Sequence, residues 1–417
     1  MQLNRPRRET ARALAVALAC AFALVPAPPA RGAGPERDRP AEAAAPPPST
    51  ITKTASLEFA TYDDTDHVTV YTPSVRLGID SASGASLHAS YLVDIVSAAS
   101  VDVVSTASSR WREVRQAGTL DGQYKPSDFG VALGGSLSSE PDYLAYGAYA
   151  KVIKDFDQKN WTVTLGYGYS HDTAGRCAAN GCTPFSVFSR NLERGTFNAG
   201  VAWVADSRSV AGIGVDVILE DGDPSKPYRY IPMFASDVAP TVARGASIAQ
   251  VNALRLPERP LEQLPLTRQR IALMPRYAHR FDGSTVRLEE RLYDDFWGLI
   301  ASSTDAKWIF DLGPRVVLWP HVRFHVQSAV SFWQRAYVSG PAPAWDLPEF
   351  RTGDRELGPL WTADGGLGVR IGLGGDADPT TWTIGCTVDA AYTDFLDDLY
   401  LTNRIAVFGA LTLEARW

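Results

Sequence analysis

Arginine recurs between Leu266 and Arg335, and this stretch carries the richest polar chemistry in the chain. Arg268, Arg270, Arg276 and Arg280 share one parity. Arg287, Glu289, Arg291 and Asp295 share another, Asp311 and Arg315 follow, and Arg323, His325 and Gln327 close the series. On an extended strand, residues two apart lie on one face, so each short series presents a polar wall. Where such strands are neighbours, the walls meet as cross-strand pairs. A guanidinium-rich wall binds or conducts anions, because rings of charge set what a passage admits. The alternative is a ladder of salt bridges that fills the interior, and the interleaved Glu289, Asp295 and Asp311 favour it. The inward-facing candidates are Arg276, Arg287, Arg291, Asp295, Arg315, Arg323, His325 and Gln327, none with a catalytic role.

Other constellations carry less. Asp294 and Asp295 are adjacent, so on a strand they point to opposite faces and form no carboxylate pair; a turn cap or an arginine partner is the simpler reading. His321 and His325 share a face, but four residues of strand hold them ~13 Å apart, too far for one zinc ion. Glu220-Asp-Gly-Asp223 offers calcium-type oxygens but lacks the later ligands of an EF-hand loop. There is no G-x-S-x-G and no H-E-x-x-H. The six histidines are His67, His88, His171, His279, His321 and His325. A Ser/His hydrolase site assembled across strands would leave no spacing to read, which makes an enzyme the third reading. No cofactor and no metal is expected.

The elements that must position these residues follow from a period of two. In Trp161–Ser170, Trp161, Val163, Leu165, Tyr167 and Tyr169 oppose Thr162, Thr164, Gly166, Gly168 and Ser170. In Trp361–Leu373, Trp361, Leu367, Val369, Ile371 and Leu373 oppose Thr362, Asp364, Gly366, Gly368 and Arg370. Ile218 is an exception within Ser209–Glu220. In the last segment Leu401, Ile405, Val407, Leu411, Leu413 and Trp417 share a face against Thr402, Arg404, Thr412, Glu414 and Arg416. Each segment has one apolar and one polar face, with Tyr and Trp near the ends, as in a transmembrane barrel.

Connections between segments alternate short and long. Short ones are expected at Asp80–Gly84, Pro126–Asp128, Asp157–Asn160, Asp206–Arg208, Asp282–Ser284, Trp319–His321 and Gly374–Pro379. Longer ones are expected at Ser97–Ser109, Ser136–Asp142, His171–Arg194, Asp221–Pro265, Trp297–Ala306, Ser339–Leu357 and Asp394–Asp398. Tight turns at one end and long loops at the other are the pattern of an outer-membrane barrel. Pro275 and Pro314 fall inside expected strands, where proline removes a ladder hydrogen bond. Glu290 falls on the lipid-facing parity, so a bulge or a strand end above the bilayer is expected there.

Residues 1–33 read as a secretory signal: a basic start with Arg5, Arg7, Arg8 and Arg12, an apolar core Ala13–Val25, and a small-residue cleavage region at Ala27–Ala33. They hold five Arg and one Glu, a net +4, so the chain's −7 becomes −7 − 4 = −11 after cleavage. An acidic exported chain is no nucleic-acid binder. After the signal no apolar run is long enough for a membrane helix. Residues 34–53, rich in Ala and Pro, read as a disordered leader. Cys177 and Cys182 flank a turn at Asn180-Gly181 in one long loop, and an oxidising compartment makes a local disulfide between them the expected state.

Several blocks carry a resemblance. They are Ser90–Ser108, Ser139-Glu-Pro-Asp-Tyr143, Asp223–Arg229, Tyr293-Asp-Asp-Phe-Trp-Gly298, Arg323-Phe-His-Val-Gln-Ser328 and Asp354-Arg-Glu-Leu357. Together they resemble an uncharacterised bacterial family, the domain of unknown function thirty-five seventy, from about Leu57 to Trp417. The resemblance implies a Gram-negative outer-membrane barrel and supplies no substrate. The chain departs from the family pattern at Phe324 and His325, where tyrosines are usual. Outer-membrane barrels commonly end on an aromatic residue, so the strand ending at Trp417 resembles the signal read by the barrel-insertion machinery.

The expectation is all-β: a single antiparallel transmembrane β-barrel of about sixteen strands over residues 54–417, exported to the bacterial outer membrane. Its partners are outer-membrane lipids, the insertion machinery and a small solute. Its expected role is a pore or solute-binding barrel with the long loop Asp221–Pro265 capping or entering the lumen. The alternative is a plugged, partner-docking barrel.

Overall fold

An apolar face on every strand must be buried or bathed in lipid, and a strand edge must be paired; closing a sheet on itself meets both demands. The computed structural model describes residues 51–98, 111–176, 188–226, 229–340, 346–374 and 380–417. Residues 1–50, with the signal and most of the leader, lie outside these, as do Cys177 and Cys182. Sixteen strands close into one barrel. They are β1 (Ile51–Asp64), β2 (Val68–Ser81), β3 (Ala85–Ala98), β4 (Trp111–Tyr124), β5 (Phe129–Glu140), β6 (Tyr143–Phe156), β7 (Trp161–Arg176), β8 (Phe188–Asp206), β9 (Ser209–Gly222), β11 (Thr267–Arg280), β12 (Ser284–Asp295), β13 (Ile300–Asp311), β14 (Val316–Gln327), β16 (Leu360–Leu373), β17 (Thr381–Phe395) and β18 (Asn403–Arg416). Every neighbouring pair is antiparallel, and β1 pairs with β18 to close the ring. At that seam Lys53 and Trp417 exchange backbone hydrogen bonds of 2.7 and 3.0 Å. The first strand begins at Ile51, slightly before the expected Thr54.

The register sorts the two faces. Outward parity exposes Leu57 and Phe59, Leu77 and Ile79, Leu87 and Tyr91, Leu165 and Tyr167, Leu367 and Ile371, Leu411 and Leu413. So continuous an apolar belt is incompatible with water and fits the hydrocarbon of a bilayer. Among the described residues no helix is long and apolar enough to cross a membrane. Cys386 is an exposed free thiol on this outward parity.

Three expected connections are corrected. Trp319–His321 is not a turn: β14 runs straight through it, and Pro320 sits on the outward face opposite Leu367. The real turn is 312–315, where Gly313 at φ 96° takes the left-handed conformation and Pro314 needs no ladder partner. Trp297–Ala306 is not a long loop, since β13 begins at Ile300. The Asp295 carboxylate accepts from Trp297 N at 2.9 Å and Leu299 N at 3.1 Å, and Gly298 at φ 86° completes the tight turn. Ser136–Asp142 shrinks likewise, because β5 continues to Glu140 and β6 starts at Tyr143. A further tight turn, 65–67, closes on Asp64, which accepts from Asp66 N and Val68 N. The loop end therefore mixes tight and long connections, whereas the end bearing the termini has only short ones.

Pro275 does lie inside β11, and the β11–β12 ladder is interrupted between Leu273↔Leu292 and Arg276↔Glu289. Glu290 keeps its outward parity without a bulge. Ser302 Oγ donates to it at 2.6 Å and Thr304 Oγ1 at 2.5 Å, from the adjacent strand β13.

The core lies at the loop end. Residues 223–266, between β9 and β11, and 328–359, between β14 and β16, fold together into a cap. Short strands β10 (Met233–Phe234) and β15 (Tyr337–Val338) pair in parallel there. Helix α1 (Ile248–Leu254) starts at a capping box between Ser247 and Gln250. Phe234, Val242, Val251 and Leu399 form one buried cluster, and Leu264, Trp297, Leu299, Val330 and Leu357 another. The two segments are joined by an ionic centre. Glu262, 1% exposed, pairs with Arg229 at 2.8 Å and accepts from Thr352 Oγ1 at 2.6 Å.

Candidate functional site in the barrel lumen

The register sets which residues face inward, and their chemistry divides the lumen into two arcs. From β5 to β9 the inward positions are mostly small and neutral: Ala132, Gly134, Ser136, Gly147, Thr164, Gly166, Gly168, Thr196, Gly200, Gly212 and Gly214. From β11 to β17 they are mostly charged. Across the middle of this second arc runs one row in direct register: Arg276, Glu289, Asp305, Arg323, Asp364. The next row toward the termini reads Arg287, Lys307, His321, Gly366, Asp389. The next row toward the loop end contains Arg291, Ser303, His325, Thr362 and Thr393.

Some of these charges are paired, at the loop end and, through Arg280 and Asp311, at the terminal end, and others are not. Near the loop end lies a salt-bridge ladder. Arg194 Nε binds Glu220 at 2.8 Å, Arg270 binds the same carboxylate, and Arg268 Nε binds Asp295 at 2.8 Å. Asp172 joins through Arg194 at 3.7 Å and through the Tyr143 hydroxyl at 2.7 Å. Deeper in the barrel the pattern changes. Among the described residues none lies in hydrogen-bond or ion-pair contact with the side chains of Arg276, Arg287, Arg323 or Lys307. Arg287 and Lys307 stand directly opposite each other on adjacent strands. Like charges at such positions destabilise a sheet.

The expected site residues are placed as follows. Arg276, Arg287, Arg291, Asp295, Arg323, His325 and Gln327 lie on the inward parity of β11, β12 and β14. Arg315 lies in the turn 312–315 at the terminal end. Asp295 is 4% exposed and fully occupied: besides Arg268 and the two turn amides it accepts from the Tyr293 hydroxyl at 2.8 Å. Arg268 also stacks over the Trp297 ring at 4.1 Å. Asp294, adjacent, is exposed on the opposite face. His325 accepts or donates to Ser303 at 2.7 Å and Gln327 at 3.1 Å. Gln327 Nε2 donates to the carbonyls of Glu356 and Gly358, at 2.9 and 2.8 Å, so it belongs to the cap's seat. The acidic segment from Glu220 to Asp223 points at arginines, with Arg190 2.6 Å from Asp223, and not into a shared cation cage.

Lys307, Asp305, Asp364 and Asp389 were not singled out from sequence. Asp305 and Lys307 lie on β13, Asp364 on β16 and Asp389 on β17, and only parity marked them as inward.

The cap crosses this lumen's loop-end mouth. It starts between β9 and β11 and reaches β17–β18, where Gly245 N and Ala246 N bond Asp398 O and Leu399 O at 3.1 and 2.7 Å. Arg244 binds Asp394, and Arg335 binds Asp397 at 2.5 Å. Arg404 of β18 lies 3.4 Å from Glu356. Burial pushes the phenol of Tyr337, within the cap, up to about 12. Its hydroxyl donates to Phe332 O and accepts from Thr352 N, both at 3.0 Å.

Comparison with known proteins adds a family and several barrels. The sequence matches, over residues 13–383, the model of a family described as a protein of unknown function, DUF3570. No curated protein matches. Among solved structures, CdiB from Acinetobacter baumannii aligns with TM-score 0.48 and 9% identity over 87% of this chain and 60% of that one. The siderophore receptor PirA from Pseudomonas aeruginosa aligns with TM-score 0.39 and 13% identity over 84% and 57%. OccK11 (OpdR) from Pseudomonas aeruginosa aligns with TM-score 0.40 and 11% identity over 88% and 96%. The chain thus spans less than two thirds of the length of the first two.

Proposed function

This chain belongs to the DUF3570 family, and from that premise we propose that it is a capped pore of the bacterial outer membrane which binds and passes small charged solutes, holding an anionic group at Arg287 and Lys307. The observation that carries the reading is their placement: two cations directly opposite in register, inward-facing, with no carboxylate among the described residues in contact. Mutual repulsion works against folding there. An anionic group between them relieves it with charge-assisted hydrogen bonds. The facing arc of Gly, Ala, Ser and Thr leaves room for a solute to move along the charged wall. Barrels of this strand number enclose aqueous channels. Export through residues 1–33, and insertion through the strand ending at Trp417, belong to the same proposal. No catalytic step is part of it.

The test is single-channel conductance of the refolded protein in planar bilayers, with selectivity in a KCl gradient. Anion-preferring channels, whose preference falls on replacing Arg287 and Lys307 with Gln, are the expected result. A second reading is supported by the cap's own buried core: a plugged barrel whose outer surface docks a partner. A protein that conducts nothing while keeping heat-modifiable mobility on gels would replace the first reading with the second.

A further inference from the structure

Sequence spacing separates His321 from every other potential ligand on its own strand, but the neighbouring strands bring three carboxylates to it. His321 on β14 faces Asp364 on β16, Asp389 on β17 and Asp305 on β13. Its Nδ1 lies 3.1 Å from Asp389 Oδ1 and 3.6 Å from Asp364 Oδ1. These ligand atoms all lie within 4.8 Å of one another. Ligands about 2.0–2.2 Å from a tetrahedral zinc ion are about 3.4 Å apart, so these two edges already lie close to the required length.

We propose that His321, Asp364 and Asp389 bind one divalent first-row transition cation of the zinc class in the lumen wall, with lumen water completing its coordination. Three observations beyond the clustering support it. On its far side, His321 Nε2 lies 2.7 Å from Asp305 Oδ2. A carboxylate there accepts a hydrogen bond from Nε2–H, which keeps the proton on Nε2, leaves the Nδ1 lone pair directed at the site and orients the ring, as outer-sphere partners of metal-bound histidines do. Next, Gly366 lies beside the site: a Cβ there would come within 1.8 Å of Asp389 Oδ1, so the absence of a side chain is what lets that carboxylate reach inward. Last, Asp364 Oδ1 is buried with no hydrogen-bond partner among the described residues. An imidazolium at His321 would satisfy Asp305 and Asp389 and still leave Asp364 unserved, whereas a cation among the three ligand atoms serves Asp364, Asp389 and Nδ1 together. One nitrogen and two carboxylate oxygens suit zinc-class ions better than calcium or magnesium, which take oxygen sets of six or more. Arg323 and Lys307 stand in register beside Asp305 and His321, so the bound ion would sit at the boundary between the basic and acidic parts of the wall.

The experiment is zinc titration of the refolded full-length barrel, stripped of metal, by calorimetry, with cobalt as a spectroscopic probe of geometry. Expected are one zinc per barrel, an intense visible cobalt spectrum of tetrahedral type, and no displacement by equimolar magnesium. Asp305→Asn weakens binding by ~10–100-fold, and His321→Ala or Asp364→Asn weakens it further. Heat-modifiable mobility checks that each variant is folded; should one fail, the other ligand variant decides. No zinc binding by the wild-type barrel would overturn the proposal. So would affinity unchanged in the folded ligand variants, or displacement by magnesium.

Discussion

Arg355 Nη1 lies 2.6 Å from Asp66 Oδ2, although 289 residues separate the two in sequence. Arg355 belongs to the cap and Asp66 to the turn between β1 and β2, so one ion pair ties the cap to the far side of the barrel seam. Both side chains are nearly buried, at 10% and 2% exposure, and Arg355 also covers the Phe395 ring at 5.6 Å.

This latch should control the mouth. Removing one member of a buried pair leaves an uncompensated charge and costs about 3 kcal/mol or more. Arg355→Ala should therefore loosen the cap against an intact barrel. Single-channel records should show longer or larger open events, with heat-modifiable mobility unchanged. Gating and conductance indistinguishable from wild type would remove the latch from the account.

Arg287 and Lys307 should show a trade of stability against selectivity. Replacing both with Gln removes a cross-strand repulsion worth roughly 0.2–1 kcal/mol, so the denaturation midpoint should hold or rise. The reversal potential in a KCl gradient should move toward cation preference. A clear loss of stability would mean that these cations have carboxylate partners in the folded barrel.

Asp295 should behave as a structural residue. It gathers Arg268, Tyr293 and two turn amides. Asp295→Ala should cost about 3–5 kcal/mol in reversible unfolding from lipid vesicles, with ion selectivity preserved in the fraction that folds. A change under 1 kcal/mol would contradict this assignment.

Glu290 faces the bilayer with Ser302 and Thr304 as its donors. A lysine charge on the lipid face is costly even where hydroxyls can accept from it, so Glu290→Lys should destabilise by about 2–4 kcal/mol. Glu290→Leu should be neutral or stabilising by about 1 kcal/mol. If Leu proved strongly destabilising, the carboxylate would have a partner on the outer face.

The alternation of apolar and polar residues determined the strands, their inward and outward faces and the closed barrel, because side chains alternate at every residue of a strand. It put Arg276, Arg287 and Arg323 on inward parity without any knowledge of their neighbours. Local sequence misjudged turns where a side chain from an adjoining residue does the work: Asp295 tightens 296–299, and Pro320, a turn residue by habit, stays in β14. Parity also placed Glu290 outward, but the hydroxyls that make that position tolerable come from β13. Only the tertiary structure decided which charges are paired and which stand alone. Sequence spacing describes one strand, while the contacts of Arg268 with Asp295, Arg355 with Asp66 and His321 with Asp364 and Asp389 depend on register between strands, set by every turn and by ring closure at once. The same reason left the cap half legible: Asp221–Pro265 was expected to cap or enter the lumen, but the cap's core joins 223–266 to 328–359, and nothing within either segment names the other.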